Sequence, residues 1–239
     1  MITFRNADTR GRTNWSWLDS RHTFSFGRYI DRAHTNFRSL RVINDDRVDA
    51  GRGFEPHQHH DMEIISYVVE GRLAHKDEMA DGTRHAHESG PGSVQVMSAG
   101  RGVTHSEFNP DAARPVRFIQ IWIIPDREGR DPAYAQRDFP REERLNRLVQ
   151  IVGPRSGSTD SGTLRINRDA SIYSAILEPG REVSHAIAPG RGVYLQVVSG
   201  SITLGGRTLH EGDGAAIENE TSITLAGVRE ADVLLFDLA

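Results

Sequence analysis

Short runs of alternating or apolar residues, cut by Gly, Pro and Asp, fill most of the chain, and this pattern predicts strands rather than helices. In the first half the expected strands are FRSLRVIN (37 to 44), MEIISYVVEG (62 to 71), SVQVM (93 to 97) and VRFIQIWIIP (116 to 125). In the second half they are SIYSAILEP (171 to 179), GVYLQVVSGSITLGG (192 to 206), SITL (222 to 225) and DVLLFDL (232 to 238). Many short strands at such spacing predict an all-β chain built of barrels or sandwiches. Between the halves, residues 126 to 147 are charged, contain two prolines and carry few β-branched residues, which predicts a linker. Within it REERLNRL (141 to 148) can form one or two helical turns after Pro140. An internal repeat supports two units. YVVEGRLAHKD (67 to 77) is echoed by QVVSGSITLGG (196 to 206), a strand, a Gly turn and a strand, and GPGSVQVM (90 to 97) by HEGDGAAIE (210 to 218). The expected organisation is a barrel over 1–130, a short, partly helical linker over 131–148 and a second barrel over 149–239.

Composition narrows the chemistry. The 239 residues include no Cys, so disulfides and thiolate metal sites are excluded and any metal must sit on His and carboxylate. Hydrophobic residues make up 37%, and with 23 Gly the apolar share is that of a globular protein. The first residues, MITFRNADTRGRTNW, lack the apolar core of a signal peptide, and no apolar run is long enough to span a bilayer; a soluble, cytoplasmic protein is expected. A net charge of −4, with basic residues spread along the chain, predicts no direct binding to nucleic acid.

The densest chemistry is EPHQHHDM (55 to 62), with His57, His59 and His60. On a strand, residues two apart share a face, so His57 and His59 point together and His60 points away. Downstream, SAGRGVTHSEFN (98 to 109) supplies a second pair at the same spacing, His105 and Glu107, behind a Gly-rich turn. Two such pairs on adjacent strands would make a three-histidine, one-carboxylate site. That donor set suits divalent iron first, and also manganese, nickel, copper or zinc, with open positions left for chemistry. The plainer reading is a set of surface histidines. His75 and Asp77 share a face and would form a hydrogen-bonded pair or a polar strand face. His85 and His87, in DGTRHAHESG (81 to 90), are expected in a solvated hairpin loop. Phe24, Phe26, Trp15, Trp17 and Trp122 are expected to pack rather than to line a pocket.

Gly51, His57, His59 and Gly71 resemble the first cupin motif, and Gly102, His105 and Asn109 the end of the second. Within the cupins, HQHHDMEIISYVVEGRLAHKD and MSAGRGVTHSEFNP, with SRHTFSFGRYID, LRVINDD, QIWIIP and DVLLFDL, resemble the pirin family and its bacterial quercetin 2,3-dioxygenase-like branch. The resemblance covers nearly the whole chain. One departure stands out: Glu63 falls one residue earlier than the usual cupin glutamate, and a one-residue slip reverses the face. The carboxylate role therefore passes to Glu107, in agreement with the pirin pattern, whose ligands map onto His57, His59, His105 and Glu107.

The resemblance implies a bicupin of two tandem jelly-roll barrels, the first holding one divalent metal. The second, which keeps His185 but no His-x-His pair, would hold none. It also implies a dioxygenase that opens the heterocycle of a planar phenolic flavonol with dioxygen and releases carbon monoxide, Glu107 accepting the substrate proton. Two other functions fit the same residues: a pirin-like regulatory module that binds a protein partner, and a cupin enzyme with another small substrate.

Overall fold

The strand-rich pattern folds into three sheets, antiparallel except for the parallel pair Val149–Pro154 and Leu164–Ile166, in the computed structural model, which describes residues 1–156 and 162–239. Residues 157–161, within the stretch expected in the second barrel, lie outside the described residues. A seven-stranded sheet runs in the order Ala133–Asp138, Ser93–Ser98, Glu63–Glu70, Val116–Ile123, Leu40–Val48, Leu18–His22, Gly11–Asn14. Opposite it stands a four-stranded sheet, Gly53–His59, Val103–Phe108, Leu73–Met79, Arg84–Ser89. The second half forms a nine-stranded sheet centred on two long strands, Gly192–Leu204 and Ser222–Leu238. The α-helix Arg141–Arg144 is a single turn that follows Pro140. Among the described residues, no helix is long and apolar enough to cross a membrane.

The structure differs locally from the sequence expectation at four places. The stretch expected as linker contains the strand Ala133–Asp138, which closes the edge of the seven-stranded sheet by pairing with Ser93–Ser98. Edge strands tolerate charge and need few β-branched residues, so its polar composition concealed it. The chain's first strand, Ile2–Arg5, pairs with Gly214–Ile217 and so belongs to the sheet of the second half. The hairpin loop expected around His85 and His87 is instead the strand Arg84–Ser89, paired with Leu73–Met79. In the repeat, Gly71 does make a turn, whereas its counterpart Gly200 lies in an irregular stretch inside one long strand.

Alternation within the central strands separates two buried surfaces. Ile65, Tyr67, Ile119, Ile121 and Ile123 join Leu234 and Phe236 of the second half in one apolar cluster. The intervening residues Ser66, Phe118, Gln120 and Trp122 face the interior of the first barrel. Burial on both faces explains why these strands read as almost unbroken apolar runs. The second half has its own aliphatic core, with Val183, Leu195, Val197, Ile202 and Leu235. His185 lies outside that core, hydrogen-bonded to Asp237 at 2.7 Å and packed against Tyr173.

Polar pins cross the apolar contact between the halves. Arg117 is buried and bidentate to Asp45, with both contacts at 2.8 Å, and it also donates to the Val198 carbonyl. Arg144 donates to Tyr67 and Ser174 and lies 3.4 Å from Asp232, while Tyr67 donates to Asp232. Removing the cation would leave Asp232 largely desolvated and uncompensated. Arg144→Met is expected to destabilise the protein by about 3 kcal/mol in urea unfolding, and adding Asp232→Asn to recover part of that loss. Equal unfolding midpoints for parent and single variant would refute the pin.

Candidate metal centre

The strand Gly53–His59 lies antiparallel to Val103–Phe108, with His57 directly opposite His105 and His59 opposite Val103. The two-residue period brings His57, His59 and His105 together on the inner face. Their ring centroids are 4.4 to 4.9 Å apart, and one nitrogen from each ring lies within 4.8 Å of the others. Gly53 permits the close approach of these strands, because a Cβ there would fall 2.2 Å from the Glu107 carbonyl oxygen. At the turn before the second pair, Gly100 has a φ of +46° and sits against the Arg130 carbonyl, which excludes any side chain.

His105 is 2% exposed, and neither ring nitrogen has a hydrogen-bond partner. An unpartnered buried polar group costs about 1–3 kcal/mol, so such a ring calls for a ligand. His57 presents its Nδ1 to the Glu55 carbonyl at 2.8 Å, which leaves Nε2 free. Burial, then the neighbouring His57 and His60, lowers the pKa of His59 to about 4. Burial, then His57, His75 and His59, lowers that of His105 to about 2. Both rings are therefore neutral at physiological pH, the form that binds metal. The donor set fits a divalent first-row ion.

Glu107 is buried and held from both sides. The Ser66 hydroxyl lies 2.9 Å from Oε1, and the Gln120 amide donates to Oε2 at 2.8 Å. It forms a second close trio with His105 and His75, so His105 is common to both sets. The register of the two strands shifts between His105 and Glu107, so Glu107 lies opposite Phe54. His60 points to solvent, its side chain 82% exposed, beside Asp61. Glu63 is buried on the other face, where it accepts from Ser98 and from Asn167 of the second half.

Beside the cluster opens a cavity of about 530 Å³, within the range of small-molecule sites. His57, His59 and Glu107 form part of its wall, and Trp15, Phe26, Phe54 and Trp122 supply flat apolar surface. Trp15, Phe26 and Trp122, expected only to pack, are thus cavity residues, whereas Phe24 does pack in the core against Tyr194. Trp122 stands edge-on to both Phe26 and His59. Asp46, Asn44 and His22 form a polar part of the wall, and the sequence reading did not single them out. A signal was present in Asn44 and Asp46, polar and two apart on one strand, and in Ser66 and Gln120 within the apolar runs of two others. Asp46 is buried, with Oδ1 unpartnered. Burial, opposed by Ser20 and reinforced by Asp45 and Glu107, raises its pKa to about 7.

Comparison with known proteins places this site in context. The pirin family profile matches residues 3–123, and a profile described as the quercetinase C-terminal cupin domain matches residues 155–238. A quercetin 2,3-dioxygenase of Escherichia coli strain K12 is 41% identical over 238 residues, spanning 100% of this chain and 99% of that protein. A pirin-like protein of Caulobacter vibrioides is 37% identical, with both chains covered in full. The crystal structure of the Escherichia coli bacterial pirin YhhW in complex with nickel(II) superimposes with a TM-score of 0.91 at 40% identity, covering 100% of this chain and 99% of that one. With matching profiles in both halves and full-length relatives at this identity, the chain belongs to the pirin family, with the bicupin architecture of two tandem cupin barrels.

Proposed function

We propose that the protein is a metal-dependent dioxygenase of the quercetin 2,3-dioxygenase type, acting on a planar phenolic flavonol and dioxygen. In this reading His57, His59, His105 and Glu107 hold one divalent ion, iron by the chemistry of the donors, and Glu107 also acts as the base. The observation that carries it is the opening of the imidazole cluster and Glu107 onto a cavity walled by Trp15, Phe26, Phe54 and Trp122. Such a slot accepts a flat, oxygen-rich ligand end-on to the metal-binding groups. The naming of a 41% identical relative as quercetin 2,3-dioxygenase supports the same substrate class.

A divalent ion held by these residues would lower the pKa of a substrate hydroxyl bound to it. Glu107 accepts the released proton, and Ser66 and Gln120 keep its carboxylate aimed as its charge changes. The aromatic walls orient the ring system and exclude bulk water. The polar wall at Asn44, Asp46 and His22 offers hydrogen-bonding groups to other substrate oxygens. Both atoms of dioxygen enter the flavonol as its heterocycle opens, and carbon monoxide leaves.

Quercetin added to protein loaded with iron, manganese, nickel or copper is expected to give oxygen uptake and carbon monoxide release with at least one ion. Silence with all four would end the dioxygenase reading. Replacing both His57 and His59 by Ala should remove the bound ion and the turnover, as read by elemental analysis and gas detection, whereas His60→Ala should preserve both.

The Asp46 carboxyl gives a pH test of the polar wall. Folded, it keeps its proton up to about pH 7; unfolded, it loses it near 3.8, so stability falls as pH rises between those values. Asp46→Asn removes this dependence. The metal-free variant should be more stable than the parent at pH 8, by about 2–4 kcal/mol in urea unfolding, and gain far less at pH 4. Equal differences at the two pH values would contradict the raised pKa.

A further inference from the structure

His75 and Asp77 lie on the strand Leu73–Met79, which pairs with the strand that carries His105 and Glu107. Antiparallel pairing sets Glu107 opposite His75, and His105 opposite Asp77. Both side chains are buried: His75 is 3% exposed and the Asp77 side chain 0%. His75 Nε2 lies 3.0 Å from Asp77 Oδ2, and the other carboxylate oxygen lies 2.9 Å from His85 Nδ1. His85, on the outer strand Arg84–Ser89, is partly open to solvent, its side chain 26% exposed. Tyr134, from the edge strand Ala133–Asp138, covers this row and stacks on His75, His85 and His87 at 4.9 to 5.2 Å.

The tautomer of His75 follows from these contacts. A carboxylate only accepts hydrogen bonds, so the His75 nitrogen facing Asp77 carries the hydrogen. In the neutral ring, Nδ1 is then a bare acceptor, and it is buried without a partner. A matching need lies on His105, whose ring centroid is 5.2 Å away and whose two nitrogens are both unpartnered. A ring that ligates through one nitrogen carries its hydrogen on the other and requires an acceptor for it. One approach of the two rings satisfies both.

We infer that His75, oriented by Asp77, is a positioning residue that accepts the ring hydrogen of His105 and so fixes the tautomer and direction of that ring for metal binding. Asp77, His75 and His105 form one directional chain, and His85 anchors its outer end at the surface. This inference rests on the metal reading of the front cluster but assigns a separate task to a separate strand.

The test is nickel(II) titration of the metal-free full-length protein by calorimetry, with copper(II) electron paramagnetic resonance as a second readout. His75→Phe keeps the ring volume without an acceptor, and His75→Gln keeps a partner for Asp77 but places no acceptor at the Nδ1 position. Both should weaken nickel binding about 10–100-fold. His75→Asn, whose side-chain oxygen can reach the Nδ1 position, should restore part of it. The copper spectrum should keep the same number of coupled imidazole nitrogens in all three variants. Wild-type affinity in the Phe and Gln variants, or an Asn variant no better than them, overturns the inference. Loss of one coupled nitrogen would also overturn it, because His75 would then be a ligand. If the parent binds no nickel, the metal reading itself fails and this inference with it. If binding is abolished by His57→Ala with His59→Ala but untouched by His75→Phe, only the positioning role fails.

Discussion

The burial of the central strands on both faces is the constraint on which the rest of the structure depends. Glu63–Glu70 and Val116–Ile123 turn one set of side chains to the second half and the alternate set to the first barrel's interior. On the outer face the contact is almost purely apolar and long, and it is pinned by Arg117 and Arg144. On the inner face the same strands carry Ser66 and Gln120, which hold Glu107. A one-residue slip would exchange the two sets and put isoleucines against the imidazoles. The inter-barrel contact therefore fixes the register of the metal centre, although none of its residues touches the cavity.

Much of this was readable from the chain because the two-residue period determines facing without knowledge of the fold. His57, His59 and His105 could be grouped on that period, and His60 separated from them. What could not be read depends on pairing between distant strands. Ala133–Asp138 has the composition of a linker and becomes a strand only because the edge at Ser93–Ser98 is open to it. Ile2–Arg5 is polar enough to pass for a tail and is recruited by Gly214–Ile217 across more than two hundred residues of sequence. Trp122 and Phe26 are ordinary core residues by type, and whether such a ring packs or walls a cavity depends on what the opposite sheet leaves unfilled.

The second half packs an interior of Val, Ile, Leu and Ala, drawn largely from its two long strands. Several of its polar groups reach across to the rest of the chain: Asn167 to Glu63, Val198 to Arg117, and Asp232 to Tyr67 and Arg144.

A stable partner matters because the first barrel concentrates buried polar groups that oppose folding. His75, His105, Glu107, Asp46 and Asp77 are each at most 5% exposed, and several of their atoms have no partner in the protein alone. Each such atom withdraws about 1–3 kcal/mol from a total that for a domain is only about 5–15 kcal/mol. An ion bound to the folded state alone returns stability in proportion to the logarithm of its concentration over its dissociation constant, about 2.7 kcal/mol at a hundredfold excess. The apolar burial of the second half and of the contact between the halves offsets part of that cost. Burial keeps the His59 and His105 rings neutral, and the pairing of Gly53–His59 with Val103–Phe108 keeps them on one face.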